Sequence, residues 1–172
     1  PHVRQVFTDQ ETGLLSLKSE SNTRGSRIFI ECSTIDVPTS QDIAAQVHES
    51  GLGVFADAPV SGGQGGAAAG TLTFMVGSTS EVFQTIHPIL CLMGNPDHIY
   101  HCGDAGAGLA TKQINNYLSA VNMIGVCEGM NMGRKYGLDL PTLANVINNS
   151  TGMSRNSREQ NPVKGVSPTA SA

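Results

Sequence analysis

The chain has 172 residues, of which only 14% are charged against the roughly 25% usual for a soluble domain, and it carries 20 glycines and no tryptophan. A net charge of −4, with basic residues scattered singly and few aromatics, excludes the basic stripe and stacking platform that nucleic acid requires. The uncharged run Ala58–Ser80 is long enough to suggest a membrane span, but glycines and hydroxyl residues break its hydropathy. The length suffices for one domain, or for one small domain and the beginning of another.

The chain opens at Pro1 in a helix-like pattern without a targeting leader, and Lys18–Ser26 reads as irregular and serine-rich. Arg27–Cys32, β-branched and aromatic between Gly25 and Ser33-Thr34, reads as a strand. Pro38, Thr39 and Ser40 start a helix whose stripe Ile43, Ala44, Val47 ends at Gly51. A second strand, Gly53–Ala58, closes at Pro59, which gives a βαβ unit and predicts a mostly parallel sheet. A glycine-rich binding loop is expected at Ser61–Gly70, then a strand at Thr71–Val76. Ser80 caps a helix bearing Val82, Phe83, Ile86, Ile89 and Leu90, and a short strand follows at His98–His101. One helix of about 25 residues is predicted from Leu109 to Tyr136, ended by Gly137. Along it Gly125, Gly129 and Gly133 recur every fourth residue, a helix-propensity cost of about 1 kcal/mol each that predicts close backbone packing on that face. Pro141 starts a further helix through Asn148, and a polar tail, Val166–Ala172, closes the chain.

Two constellations can carry chemistry. In the segment Asp57-Ala-Pro-Val-Ser61-Gly62-Gly63, a strand gives way to backbone amides without side-chain cover, a concavity suited to a carboxylate. Gly63-x-Gly65-x-x-Ala68 imitates a dinucleotide loop, but a strand rather than a crossover helix is expected after it. Gly103-x-x-x-x-Gly108 imitates a phosphate loop without its Lys-Ser/Thr. In the second constellation Lys112, Asn115 and Asn116 stand at i, i+3 and i+4 on one helix face, and no other charge occurs before Glu128. A lysine near the N-terminal end of a mostly buried helix opposes the dipole and loses water, so its pKa falls and it becomes competent to exchange a proton near neutral pH; the alternative is a lysine that snorkels its amine to solvent.

The four cysteines form no CxxC pair and read as reduced, buried thiols in an intracellular setting. His98 and His101 are expected on opposite faces of a strand, and no carboxylate cluster accompanies any histidine, so no metal site is expected.

Three ordered segments, Asp57-Ala-Pro-Val-Ser-Gly-Gly, Gly70-Thr-Leu-Thr-Phe-Met-Val-Gly77 and Gly106-Ala-Gly108-x-x-x-Lys112-x-x-Asn115-Asn116, together resemble the β-hydroxyacid dehydrogenases. Glu31-Cys-Ser33-Thr34-Ile-Asp36 is similar to that family's Ser-Thr-Ile-Asp segment, and the Asn-Asn pair resembles its hydroxyisobutyrate branch. The likeness covers roughly Arg27–Gly165. It implies an α/β fold: the C-terminal part of a Rossmann-type doubly wound domain over residues 1–108, then a long helix and the start of an all-α domain over 109–172. It further implies NAD-dependent oxidation of 3-hydroxyisobutyrate in valine breakdown. In that scheme Lys112 is the general acid/base, Ser61, Gly62, Gly63 and Asn116 bind substrate, and Thr34 contacts NAD. A small hydroxy acid as substrate, a homo-oligomer at full length, a mitochondrial location and no nucleic-acid or membrane partner belong to the same implication. The family's Gly-x-Gly-x-x-Gly turn has no counterpart here and is expected before Pro1, so the alternative expectation is a catalytically silent piece that binds or assembles.

Overall fold

The computed structural model describes residues 2–16 and 27–167; the expectations for Lys18–Ser26 and for the end of the polar tail lie outside the described residues. The chain forms two compact units, Pro1–Gln113 and Ile114–Ala172.

In the first unit the sheet is built from β1 (Arg27–Glu31), β2 (Gly53–Asp57), β3 (Val60–Ser61), β4 (Leu72–Gly77) and β5 (Gly94–Gly103). The helices are α1 (His2–Thr8), α2 (Val37–Ser50), α3 (Gly63–Ala69) and α4 (Ser80–Leu90), followed by the start of α5 (Ala107–Lys135). The expected βαβ units are present: β1 and β2 run parallel around α2, β4 and β5 run parallel around α4. The sheet is mostly parallel, as expected, and departs from that between the two βαβ units. Asp57 pairs with Gly77, Val60 with Phe74 and Ser61 with Thr73, all antiparallel and in one register that Ala58-Pro59 merely interrupts. The connection from β3 to β4 holds only the short α3, too little chain for the crossover a parallel return needs.

Alternation along the strands feeds two apolar layers, as a sheet covered on both faces demands. Phe29 and Phe55 face α1 and α2, where Phe7, Ile43 and Val47 are buried. Ala56, Phe74, Val76 and Ile99 pack with Ile86 and Leu90 of α4, and Ile28 and Ile30 lie against the same cluster. Ile86 and Leu90 are wholly buried, each contributing about 1.5–3 kcal/mol of transfer free energy.

Capping locates the helix starts more sharply than the sequence pattern does. Asp36, one residue before α2, accepts from the Thr39 N–H, and Thr79 rather than Ser80 caps α4 by accepting from Val82. Gly51 ends α2 at φ 65°, the left-handed conformation that favours glycine.

The second unit holds the rest of α5 with α6 (Leu140–Asn148) and α7 (Arg155–Glu159). Its core joins Val126 and Met130 of α5 to Ala144 of α6, with Leu140, Leu143 and Ile147 around them. Asp139 caps α6, and Ser154 forms a capping box with Ser157 at α7. The expectation of a mostly buried α5 is corrected: Ile114, Tyr117, Leu118, Val121 and Ile124 are exposed, because within the second unit the described part of α5 packs mainly through its Val126–Met130 stripe. The glycine stripe is corrected with it. A methyl on Gly133 would collide with Leu143 Cδ2, whereas Gly125 and Gly129 meet nothing within 4 Å. No helix among the described residues is long and apolar enough to cross a membrane.

Candidate functional site

The Ser61–Gly63 segment is not the open loop expected from its glycines. Ser61 ends β3, Gly62 turns the chain at φ 137°, and α3 begins at Gly63 with φ 61°, so a helix occupies most of the glycine-rich run. The Ala67–Ala69 run supplies the helix propensity that the glycines lack. Ser61 and Gly62 are half-buried, Gly63 is exposed, and no side chain caps the first turn of α3. Leu72 lies where a Gly62 side chain would stand, its Cδ2 3.1 Å from that position.

Lys112 lies in the second turn of α5 and is half-buried, and burial lowers its pKa below the ordinary 10.5. The lowered pKa agrees with the sequence expectation. Its cause is loss of water around the side chain, while Asn115 and Asn116, one turn further on the same helix, are exposed instead of sharing a buried face.

The beginning of α5 is tied to three distant parts of the first unit. Gln113 Nε2 donates to the Ile35 carbonyl at 3.0 Å, which brings the Ser33-Thr34 loop at the carboxyl end of β1 against the helix that carries Lys112. Gln41 of α2 donates to the Ala105 carbonyl at 3.4 Å. Asp57, wholly buried at the end of β2, accepts from the Gly106 N–H at 2.7 Å and the Leu109 N–H at 2.8 Å. Sequence reading quoted Asp57 as the start of a motif but gave it no role. The signal available was the set of glycines, Gly77, Gly106 and Gly108, whose backbone must approach one point.

Thr34 is exposed, and Glu31 beside it is buried, with Oε1 accepting from the Ser33 N–H at 2.7 Å and Oε2 without a partner among the described residues. The expectation of buried thiols is corrected: all four are free, but Cys32 and Cys127 are exposed, Cys102 is half-buried, and Cys91 at the end of α4 is half-buried against the core cluster. His101 stacks on Phe83 with ring centroids 4.9 Å apart and its Nε2 is 2.8 Å from the Ser78 carbonyl, contacts that engage it in the α4 layer.

Comparison with known proteins places this geometry. Residues 1–104 match the family described as the NAD binding domain of 6-phosphogluconate dehydrogenase, and residues 106–168 match that described as NAD-binding of NADP-dependent 3-hydroxyisobutyrate dehydrogenase. The mitochondrial 3-hydroxyisobutyrate dehydrogenase of Bos taurus is 40% identical over 169 residues, covering 94% of this chain and 49% of that protein. An NAD-dependent L-serine dehydrogenase of Pseudomonas aeruginosa is 40% identical over 171 residues, covering 99% of this chain and 54% of its own length. The solved structure of Mycobacterium tuberculosis 3-hydroxyisobutyrate dehydrogenase with L-serine superposes with a TM-score of 0.79 at 40% identity, covering 86% of this chain and 50% of that one. The chain spans about half the length of the curated relatives it matches. On these matches, with the βαβ units and long helix described above, the chain belongs to the NAD-binding family of the 6-phosphogluconate and 3-hydroxyisobutyrate dehydrogenases and carries its α/β fold.

Proposed function

We propose that the protein oxidises a small β-hydroxy acid, 3-hydroxyisobutyrate, with NAD, and that Lys112 is its general acid/base. The observation that carries the reading is the half-buried Lys112 amine, with its pKa lowered by burial, on a helix pinned to the sheet at its first turn. A lysine that gives up its proton more readily than usual accepts one from an alcohol.

Ser61, Gly62 and Gly63 bind the substrate carboxylate through hydroxyl and amide donors at the start of α3. Asn116, one helical turn beyond Lys112, holds the reacting oxygen. As the substrate's 3-hydroxyl passes its proton to Lys112 Nζ, C3 gives up a hydride and the C–O bond becomes the carbonyl of methylmalonate semialdehyde. A bound nicotinamide supplies the hydride acceptor. Thr34 contacts that cofactor. The polar groups at the carboxyl end of β1 fit such a ligand: exposed hydroxyls on Ser33 and Thr34, and the buried Glu31 Oε2, an acceptor without a partner among the described residues. Within this reading residues 1–108 form the cofactor-side domain, and 109–172 the linker helix and the beginning of the helical domain.

L-serine is a second substrate reading, favoured by the Pseudomonas relative's name and by the serine complex of the Mycobacterium structure. It offers the same 3-hydroxyl and carboxylate to the same residues. The names of the bovine and human relatives support a mitochondrial location, and a place in valine breakdown belongs to the same proposal. At full length we expect a homo-oligomer. The test is NAD binding by calorimetry, followed by turnover of 3-hydroxyisobutyrate and L-serine by the wild type and Lys112→Ala. Loss of about 10²–10⁴-fold in kcat is expected; turnover that persists in Lys112→Ala refutes the assignment.

A further inference from the structure

This inference deepens the reading above and rests on it for its effect on turnover. Asp57 is a wholly buried carboxylate with both oxygens engaged, Oδ1 by the Gly106 N–H at 2.7 Å and Oδ2 by the Leu109 N–H at 2.8 Å. The first N–H groups of a helix have no intrahelical acceptor, and an anion there also meets the positive end of the helix dipole. An ordinary N-cap comes from the residue just before the helix. Here the acceptor comes from a strand that ends 49 residues before Gly106, so the bond fixes the helix against the sheet as well as closing its first turn.

Packing leaves the carboxylate no other place. A methyl on Gly108 would fall on the Met75 carbonyl and 2.8 Å from Asp57 Oδ2, and one on Gly77 would strike Asp57 Oδ1. Gly106 adopts φ 95°, and the bond to Asp57 Oδ1 is made by its own N–H. Ser61 follows Asp57 by four residues, with the β2, Pro59 and β3 backbone in one continuous register on β4 between them. One side chain thus connects the strand that leads to the Ser61–Gly63 turn with the helix that bears Lys112.

We propose that Asp57 is a positioning residue for Lys112: its carboxylate locks the first turn of α5 to β2 and β4 and so sets where the Lys112 amine stands relative to the Ser61–Gly63 turn. Burial raises the Asp57 pKa, and the N–H groups of Gly106, Leu109 and Gly108 pull it back toward the ionised form. Asp57 itself touches neither substrate nor cofactor in this role.

The experiment compares wild type with Asp57→Asn, which keeps the shape but sets an amide donor against one of the two N–H groups. Lys112 is titrated directly by carbon-13 NMR of labelled lysine in the full chain, a readout that needs no turnover. The first turn of α5 opens in the variant and water reaches Lys112, so its midpoint moves up toward 10.5 while circular dichroism stays native. In the assay kcat falls about 10- to 100-fold, as expected of a small misplacement, with KM for the hydroxy acid moving far less. A folded Asp57→Asn whose Lys112 titrates as in wild type overturns the proposal, as does fast amide exchange at Gly106 and Leu109 in the wild type. If Asp57→Asn does not fold, Asp57→Ser, which keeps one acceptor, takes its place with the same criteria. Absence of dehydrogenase turnover in the wild type would refute the functional reading alone, and the Lys112 titration would still decide this one.

Discussion

Alanine substitution at two glycines of α5, Gly129 in its interior and Gly108 at its start, is expected to change stability with opposite signs. At Gly129 nothing stands within 4 Å of the position a methyl would take, and the residue lies in mid-helix, so Gly129→Ala recovers helix propensity of up to about 1 kcal/mol. For a cooperative unit the size of residues 114–172, that amount raises the Tm by about 4–8 °C. At Gly108 the same methyl falls on the Met75 carbonyl of β4 and lies 2.8 Å from Asp57 Oδ2 and 2.9 Å from the Gly77 nitrogen. None of these atoms can rotate away, since two are backbone and the third belongs to a carboxylate held by a hydrogen bond at each oxygen. Overpacking of this kind costs about 1–3 kcal/mol, and contact with fixed backbone puts Gly108→Ala at the upper end. Propensity offsets little of that loss, because the residue is only the second of the helix. Urea and thermal unfolding of the two variants, with amide exchange along α5 as the local probe, provide the measurement. A Gly129→Ala variant less stable than wild type refutes the reasoning, for it requires a close neighbour on a face that is open here. A Gly108→Ala variant of wild-type stability would refute the packing around Asp57.

The lowered Lys112 pKa fixes the sign of the pH dependence. With the neutral amine as the proposed base, the oxidation rate is expected to rise with pH through a midpoint below 10.5, the ordinary lysine value; a rate flat up to pH 9 contradicts the assignment. Thiol chemistry gives an independent check. Cys32 and Cys127 are both exposed, but burial of the sulfur, with the Glu31 charge beside it, pushes the Cys32 thiol up, so iodoacetamide labels Cys127 faster than Cys32 at pH 7.5, as read by peptide mass spectrometry.

Strands and helices that announce themselves by period and punctuation were legible. The Ile43–Val47 stripe with Gly51, the β-branched Arg27–Glu31 run, and Gly137 at φ 73° after α5 each combine a local pattern with a local stop signal. Three features depend on what is distant in sequence and were not legible. The helix α3 is written in glycines, whose propensity argues for a loop. The antiparallel register of β2 and β3 on β4 follows from the shortness of a connection whose conformation was itself misread. The burial of α5 was inferred from its lack of charge, but an apolar residue becomes core only where something covers it, and Tyr117, Leu118 and Val121 have no such cover among the described residues.

The candidate site divides along the same line. Lys112 stands out in the sequence as a solitary cation with two amides at helical spacing, and the part of that reading the structure bears on is the lowered pKa of a half-buried amine. Asp57 could not, because an acid at a strand end is usually a solvated turn residue. What distinguishes it is the approach of three glycine backbones, from β4 and from either side of the α5 start, to one carboxylate. That convergence exists only once the sheet is assembled. The residue types of the proposed site are therefore written locally, while the seating of the helix that carries Lys112 depends on long-range hydrogen bonds that no local pattern contains.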